Sequence, residues 1–273
     1  MRVLDLFSGI GGFSLGLESA GMETVAFCER EPFCQAVLKK HWPDVPCYDD
    51  VKTLDGNQFH GTADIVCGGY PCQPFSVAGK RQAEADERHL WPEMLRIIQG
   101  VRPRWVIAEN VAGHIELGFD EVASSLESEG FTVWPFVIPA CAVDAPHRRD
   151  RVWIIAHAEQ SGRCDSTQSD TTGKRKPGTH TDNPISLRPI ADDGGEREQG
   201  FIEKTIQGIG GFSWCKDVRG ITDYFGRSDI PEPLIRRIGN GLSERLYALG
   251  NSVIPAIPYI IGQTIMEYEN DRT

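Results

Sequence analysis

The sequence predicts an α/β fold, an open and mostly parallel β-sheet with helices on both faces. Three observations predict it. Over residues 1–156, apolar runs of strand length alternate with amphipathic stretches of helix length, the mark of repeated β-α units. The run Ile65–Gly68 ends in two glycines and opens onto a loop, as strands do where open sheets place their chemistry. A length of 273 residues with 40% hydrophobic content supports one large domain, or one domain carrying a smaller lobe, around a real core.

The elements follow in order. Strand Arg2–Leu6 runs through a glycine loop into a helix at Gly12–Ala20. Strand Thr24–Glu29 precedes a helix at Pro32–His41, and a third short run leads to Asp50. Then come strand Ile65–Gly68, helix Trp91–Gly100, strand Trp105–Glu109, helix Gly118–Glu129 and strands Phe131–Ile138 and Arg151–Ala156. Composition changes after Ala156: from His157 to about Gly211 the chain is rich in Ser, Thr, Gly, Asp and Lys, a composition typical of disordered chains. Apolar residues return at Phe212, Trp214 and Tyr224-Phe225, which predicts a small irregular lobe. A helix is predicted at Leu242–Leu249, and Gly250–Met266 reads as a loop followed by a helix from about Ala256. Three regions are therefore expected: 1–156, 157–241 and 242–273.

Composition narrows the function. No apolar run approaches the roughly 20 residues of a membrane helix. The N-terminal MRVLDLFSGIGG reads as a strand and loop rather than a signal peptide. Eight cysteines lie scattered without disulfide-like or CxxC spacing, which predicts reduced thiols, a cytoplasmic setting and no metal centre. The net charge of −11 opposes a polyanionic partner, yet a local cluster can still grip phosphate. His147-Arg148-Arg149-Asp150-Arg151 and Arg236-Arg237 are the local candidates.

Four constellations carry chemistry. In Pro71-Cys72-Gln73-Pro74 the prolines restrict the backbone on both sides of a thiol, which suits a nucleophile and equally a structural cysteine. The loop Asp5-Leu6-Phe7-Ser8-Gly9-Ile10-Gly11-Gly12 lets a ligand approach the backbone, but Ser14 breaks the dinucleotide spacing. With Glu29 placed to hold a ribose diol and Asp50 placed to bond an adenine amino group, the loop suggests an adenosine-containing ligand. Glu109-Asn110-Val111 ends a strand, where a partly dry carboxylate gains a raised pKa, or where an acid merely caps a helix. Alternation aims Arg149 and Arg151 at one face, toward a phosphate, a base carbonyl or a carboxylate.

These motifs, in this order, resemble the DNA cytosine-5 methyltransferases along nearly the whole chain. DLFSGIGGFSLGLESAG is similar to their first motif, PCQPFSVAGKR to the catalytic one, ENV and HRRDRVWIIA to two more, and LGNSVIP to the last. The resemblance implies a Rossmann-like, S-adenosylmethionine-dependent sheet with a small target-recognition lobe at 157–241 and a C-terminal segment, 242–273, folded back on the catalytic domain. It implies that Cys72 attacks C6 of a cytosine flipped out of double-stranded DNA, with methyl transfer to C5 at a specific short sequence. Glu109 would contact N3 and the amino group, Arg151 would contact O2, and Arg149 would support the site. For S-adenosylmethionine, released as S-adenosylhomocysteine, it implies Phe7 near the adenine and Gly9, Ile10, Gly11 and Gly12 at the methionine end. Glu29 would hold the ribose hydroxyls and Asp50 with Val51 the adenine edge, while Leu90, Asn251 and Ser252 complete the pocket.

His147 stands where that family usually has Gln, and Arg88 where a glycine is frequent. Ile238–Leu249 looks like the compact form found in phage-type members. The resemblance further implies a monomer in the bacterial cytoplasm or nucleoid, tied to restriction-modification or carried by a phage. Three alternatives stand beside it. A tRNA cytosine methyltransferase would share PCQPFS. A nicotinamide-dependent oxidoreductase would use the glycine loop and Glu29 but leave Cys72, Glu109 and Arg151 without a task. A non-catalytic DNA-binding module would need neither Cys72 nor ENV.

Overall fold

The protein is described here by a computed structural model covering residues 1–71, 90–143, 145, 149–158 and 244–271. Seven strands, β1 (Arg2–Leu6), β2 (Glu23–Cys28), β3 (Cys47–Tyr48), β4 (Ile65–Gly68), β5 (Trp105–Val111), β6 (Phe131–Pro139) and β7 (Asp150–Ala158), form one sheet in the order β3-β2-β1-β4-β5-β7-β6. The helices are α1 (Gly12–Ser19), α2 (Pro32–His41), α3 (Trp91–Val101), α4 (His114–Leu117), α5 (Phe119–Ser128), α6 (Glu244–Asn251) and α7 (Ala256–Asn270).

Strands β1 to β5 pair in parallel, whereas β7 is antiparallel to both its neighbours, β5 and β6. The mostly parallel expectation therefore holds with one exception. Only residues 140–149 separate β6 from β7, too few for a crossover helix of roughly a dozen residues or more, so the chain turns straight back. This reversal matters for function. The parallel strands bring their carboxyl ends to one edge, and β7 begins at that same edge, where Arg151 lies opposite Val111 of β5. Strand order also reverses between β1 and β4, the kind of switch point at which such sheets bind ligands.

The strands are apolar on both faces because helices cover both. Leu4, Leu6, Val66, Val106, Val152 and Ile154 pack with Met94 and Ile98 of α3 and Val122 of α5. The alternate residues Val3, Ile65, Ile107, Trp153 and Ile155 pack with Phe13 and Leu17 of α1 and Ile257 and Ile261 of α7. In α3 the buried Trp91, Met94, Ile97, Ile98 and Val101 recur at three- and four-residue spacing, which makes one face apolar. Arg102, with φ 51°, ends that helix.

Two local readings change. Strand β5 continues through Glu109 and Asn110 to Val111, so these residues are sheet-bonded and cap no helix. The helix expected over Gly118–Glu129 is preceded by a separate short one, α4, and the break falls at Gly118. A Cβ there would meet the His114 ring at 2.5 Å. At the other end of the chain, α7 returns to lie on α1. A Cβ at Gly16 would come within 2.3 Å of the Pro255 carbonyl oxygen, and one at Gly12 within 2.6 Å of that of Val253. Only glycine at these positions lets the backbones approach so closely.

Candidate functional site

The β1–α1 loop is fastened from beneath. Asp5 is fully buried; its Oδ2 accepts from Ser14 Oγ at 2.7 Å and from Ser14 N at 3.3 Å, which ties β1 to the first turn of α1. Its Oδ1 finds no hydrogen-bond partner among the described residues. Burial accordingly pushes the Asp5 carboxyl up to about 7, although the Ser14 bonds oppose this. Above it, Phe7 is held at φ 53°. A non-glycine residue in that region costs about 1–3 kcal/mol and persists where its surroundings require it.

Glu29, at the end of β2, is buried and faces this loop. Its Oε2 accepts from Gly9 N at 2.6 Å and its Oε1 from Glu31 N at 2.7 Å. A carboxylate has about four lone-pair sites, so each oxygen keeps acceptor capacity for a ligand. Asp50 follows β3, and its Oδ1 accepts from Lys52 N at 2.9 Å. Phe7, Gly9, Glu29, Asp50, Val51, Leu90 and Asn251 all line one cavity of about 560 Å³. Seven of the eleven residues expected to hold the cofactor thus meet there.

The other four, Ile10, Gly11, Gly12 and Ser252, are not among its lining residues. Ile10 packs in a small apolar cluster with Cys34 and Ala248. A Cβ on Gly11 would meet the Trp42 ring at 2.6 Å, Gly12 lies against Val253, and Ser252 Oγ donates to Leu249 O at 2.8 Å.

The same cavity runs to the ends of β4 and β5 and the start of β7, where Glu109, Arg149 and Arg151 line it. Glu109 Oε1 pairs with Arg151 Nε at 2.9 Å, and both side chains are largely buried. Desolvation raises the Glu109 pKa, outweighing the lowering by Arg151 and Arg149. Burial thus eases protonation of this carboxyl although a cation holds it, and a carboxyl that can both donate and accept suits contact with a heterocycle that presents an acceptor and a donor. Arg149 reaches the cavity differently from the expected strand alternation. It precedes β7 at φ 37°, and its guanidinium donates through Nη1 to Gly250 O at 2.6 Å and through Nη2 to Ser252 O at 3.1 Å. Burial and the neighbouring Arg151 lower its pKa, while Glu109 opposes the shift.

Cys72 lies outside the described residues, as do His147, Arg88 and the expected recognition region 157–241 apart from His157 and Ala158, which belong to β7. Its chain neighbour Pro71 lines the cavity, and the residue before that, Tyr70, is anchored on three sides. The Tyr70 carbonyl accepts from Asn110 Nδ2 at 3.1 Å, its hydroxyl bonds His114 Nε2 at 2.7 Å, and its ring lies 5.0 Å from that of Trp91. Asn110 thus has a definite task, to hold the strand end that leads into the cysteine motif. Sequence reasoning offered Asn110 only a capping role and overlooked Tyr70 and His114, because a buried contact between a loop tyrosine and a histidine of α4 leaves no spacing signal. Two other cysteines, Cys28 and Cys34, line the cavity. Burial and nearby carboxylates push both thiols up to about 12, so neither offers a thiolate. Among the described residues no cluster of three or more His, Cys, Asp or Glu is placed to hold a metal, and no helix is long and apolar enough to cross a membrane.

Comparison with known proteins agrees with this geometry. The family model for C-5 cytosine-specific DNA methylase matches residues 1–205. The chain is 36% identical over 169 residues to the type II methyltransferase M.HgiCII of Herpetosiphon aurantiacus, covering 59% of this chain and 38% of that protein. It is 34% identical over 161 residues to the type II methyltransferase M.Eco47II of Escherichia coli, covering 56% and 39%. The chain thus spans well under half the length of these curated relatives. Among solved structures, a protein encoded within an Escherichia coli prophage superposes with a TM-score of 0.57 at 19% identity over 99% of both chains. The Dnmt2 methyltransferase of S. pombe gives 0.52 at 24% identity over 60% of this chain and 53% of that one, so these two establish the fold. With its matched region taking in the glycine loop, the acids at the strand ends and the Glu109–Arg151 pair, the chain belongs to the C-5 cytosine-specific DNA methylase family.

Proposed function

We propose that this chain transfers a methyl group from S-adenosylmethionine to C5 of a cytosine in double-stranded DNA at a specific short sequence. The observation that carries the proposal is one cavity lined at one end by Glu29 and Asp50 and at the other by a buried Glu109 paired with Arg151. A cofactor and a base could meet within it. The residues are compatible with the cofactor: Glu29 keeps acceptor capacity for a ribose diol, Asp50 lines the cavity and would accept from an exocyclic amine, and Phe7 offers an aromatic wall. When bound, S-adenosylmethionine would supply an electrophilic methyl group.

The chain's own residues would make cytosine reactive. C5 of cytosine is too weak a nucleophile by itself. Addition of the Cys72 thiolate to C6 forms an S–C6 bond and leaves electron density at C5 as an enamine. Glu109, whose pKa burial raises, would donate to N3 when protonated while its other oxygen accepts from the amino group, and Arg151 would hold O2. After C5 accepts the methyl group, loss of the C5 proton expels the thiolate and gives 5-methylcytosine. The base must leave the stack, as the targets of other DNA methyltransferases do.

By the same reading, residues 1–156 with the last two residues of β7 form the catalytic and cofactor-binding domain, the rest of 157–241 reads the base edges, and 242–273 complete the cofactor pocket. The protein would act as a monomer beside bacterial DNA in the cytoplasm, within a restriction-modification system or a prophage. Replacing Cys72 by Ala tests the mechanism. Transfer of labelled methyl groups to plasmid DNA should vanish while S-adenosylhomocysteine binding, followed by calorimetry, persists. Full activity in Cys72→Ala would remove the cysteine from the chemistry.

A further inference from the structure

Arg149 joins the two ends of the cavity. Its fork grips the carbonyls of Gly250 and Ser252, and these flank Asn251, which lines the cofactor end. The same guanidinium lies close enough to Glu109 and Arg151 for each charge to act on it. Gly250 and Asn251 end α6, where helical carbonyls lack partners within the helix, so a cation with two divergent donors suits the place. The positive φ of Arg149 aims the fork there instead of along β7. One side chain therefore connects the segment beside the cofactor to the pair that would grip the base.

We propose that Arg149 is a positioning residue that couples the two ligands: cofactor ordering the Gly250–Ser252 segment also orders the Glu109–Arg151 pair, and DNA at that pair orders the segment in return. The proposal rests on the methyltransferase reading. Its physical basis is that the first ligand meets the cost of fixing the shared fork, and the second does not meet it again. Linkage makes the effect reciprocal.

The test measures S-adenosylhomocysteine binding by calorimetry, with protein alone and with protein bound to a duplex carrying the site mapped by bisulfite sequencing. In the wild type, DNA should tighten this binding by about fivefold or more, the lower range of coupling between sites. Arg149→Lys keeps the charge but loses the two-carbonyl fork, and Arg149→Gln loses the charge as well. Whatever affinity each variant keeps for S-adenosylhomocysteine alone, the gain that DNA adds to it should fall to about twofold or less. A wild type without coupling, or variants that retain it in full, would overturn the proposal. Should neither variant fold, hydrogen exchange on the wild type decides: DNA alone should slow exchange of the 250–252 amides, and unchanged exchange counts against the coupling. Loss of all S-adenosylhomocysteine binding by the wild type would instead strike the methyltransferase reading itself.

Discussion

Glu109 lies under opposed influences, burial raising its pKa and two arginines lowering it, and burial prevails. The proposed chemistry uses the protonated acid, so its rate should fall as pH rises through the Glu109 pKa. Glu109→Gln keeps a donor but cannot supply the proton. Its kcat should drop by about 100-fold, the lower range for general acids, and lose that alkaline arm. A Gln variant with the wild-type pH profile would assign the arm to another group. Asp5 offers a stability counterpart. Its carboxyl rises from 3.8 to about 7, so the folded state binds this proton more tightly than the unfolded state does. Stability is lost as pH climbs between those values, by about 4 kcal/mol at about 1.4 kcal/mol per unit. Asp5→Asn should therefore gain on the wild type from pH 4 to pH 7 and hold a constant difference above pH 8, as read by urea unfolding. Parallel curves would show that Asp5 does not titrate there. Glu29, Asp50, Glu109 and Arg151 could be singled out in the sequence because each stands at one end of an apolar run, and the fold brings all four to one cavity. Asp5 and Tyr70 were readable only as parts of a strand and a loop, since their roles arise from Ser14, Asn110 and His114, which reach them only once the chain has folded.

Among the elements, β1, β4 and α2 were legible to the residue because glycine, proline or charge bounds each of them. The antiparallel setting of β7 was less visible. The short link after β6 implied it, yet strand periodicity is the same in either direction. That setting brings Arg149 and Arg151 to the edge where β5 ends beside Glu109, so the site depends on it. The return of α7 onto α1 depends on backbone contact at Gly16. Gly16→Ala would place a methyl group against the Pro255 carbonyl, and neither backbone can yield easily. The substitution should cost about 1–3 kcal/mol and lower Tm by several degrees. An unchanged Tm would mean that α7 can shift away without loss.

Across the molecule, the proposed function gives an acidic chain a polyanionic partner, and the contact would have to rest on local cations. Arg149 and Arg151 lie with Glu109 at one end of the cavity, whose lining also includes Glu29, Glu31, Asp49 and Asp50, so the cations are gathered locally within a chain of net charge −11. Sequence-wide charge says little about the site, because it averages over groups that the sheet edge gathers selectively. The same edge gathers the glycine loop and the acids that follow β2 and β3, so cofactor and base would share one opening. The central claim, that the thiol between Pro71 and Gln73 adds to a cytosine there, is tested most directly with DNA carrying 5-fluorocytosine at the mapped site. Fluorine cannot leave as a proton does, so with S-adenosylmethionine present the wild type should form a protein–DNA adduct that survives denaturing electrophoresis, and Cys72→Ala should form none. Active enzyme that methylates cytosine yet yields no adduct with the fluorinated site would contradict the account.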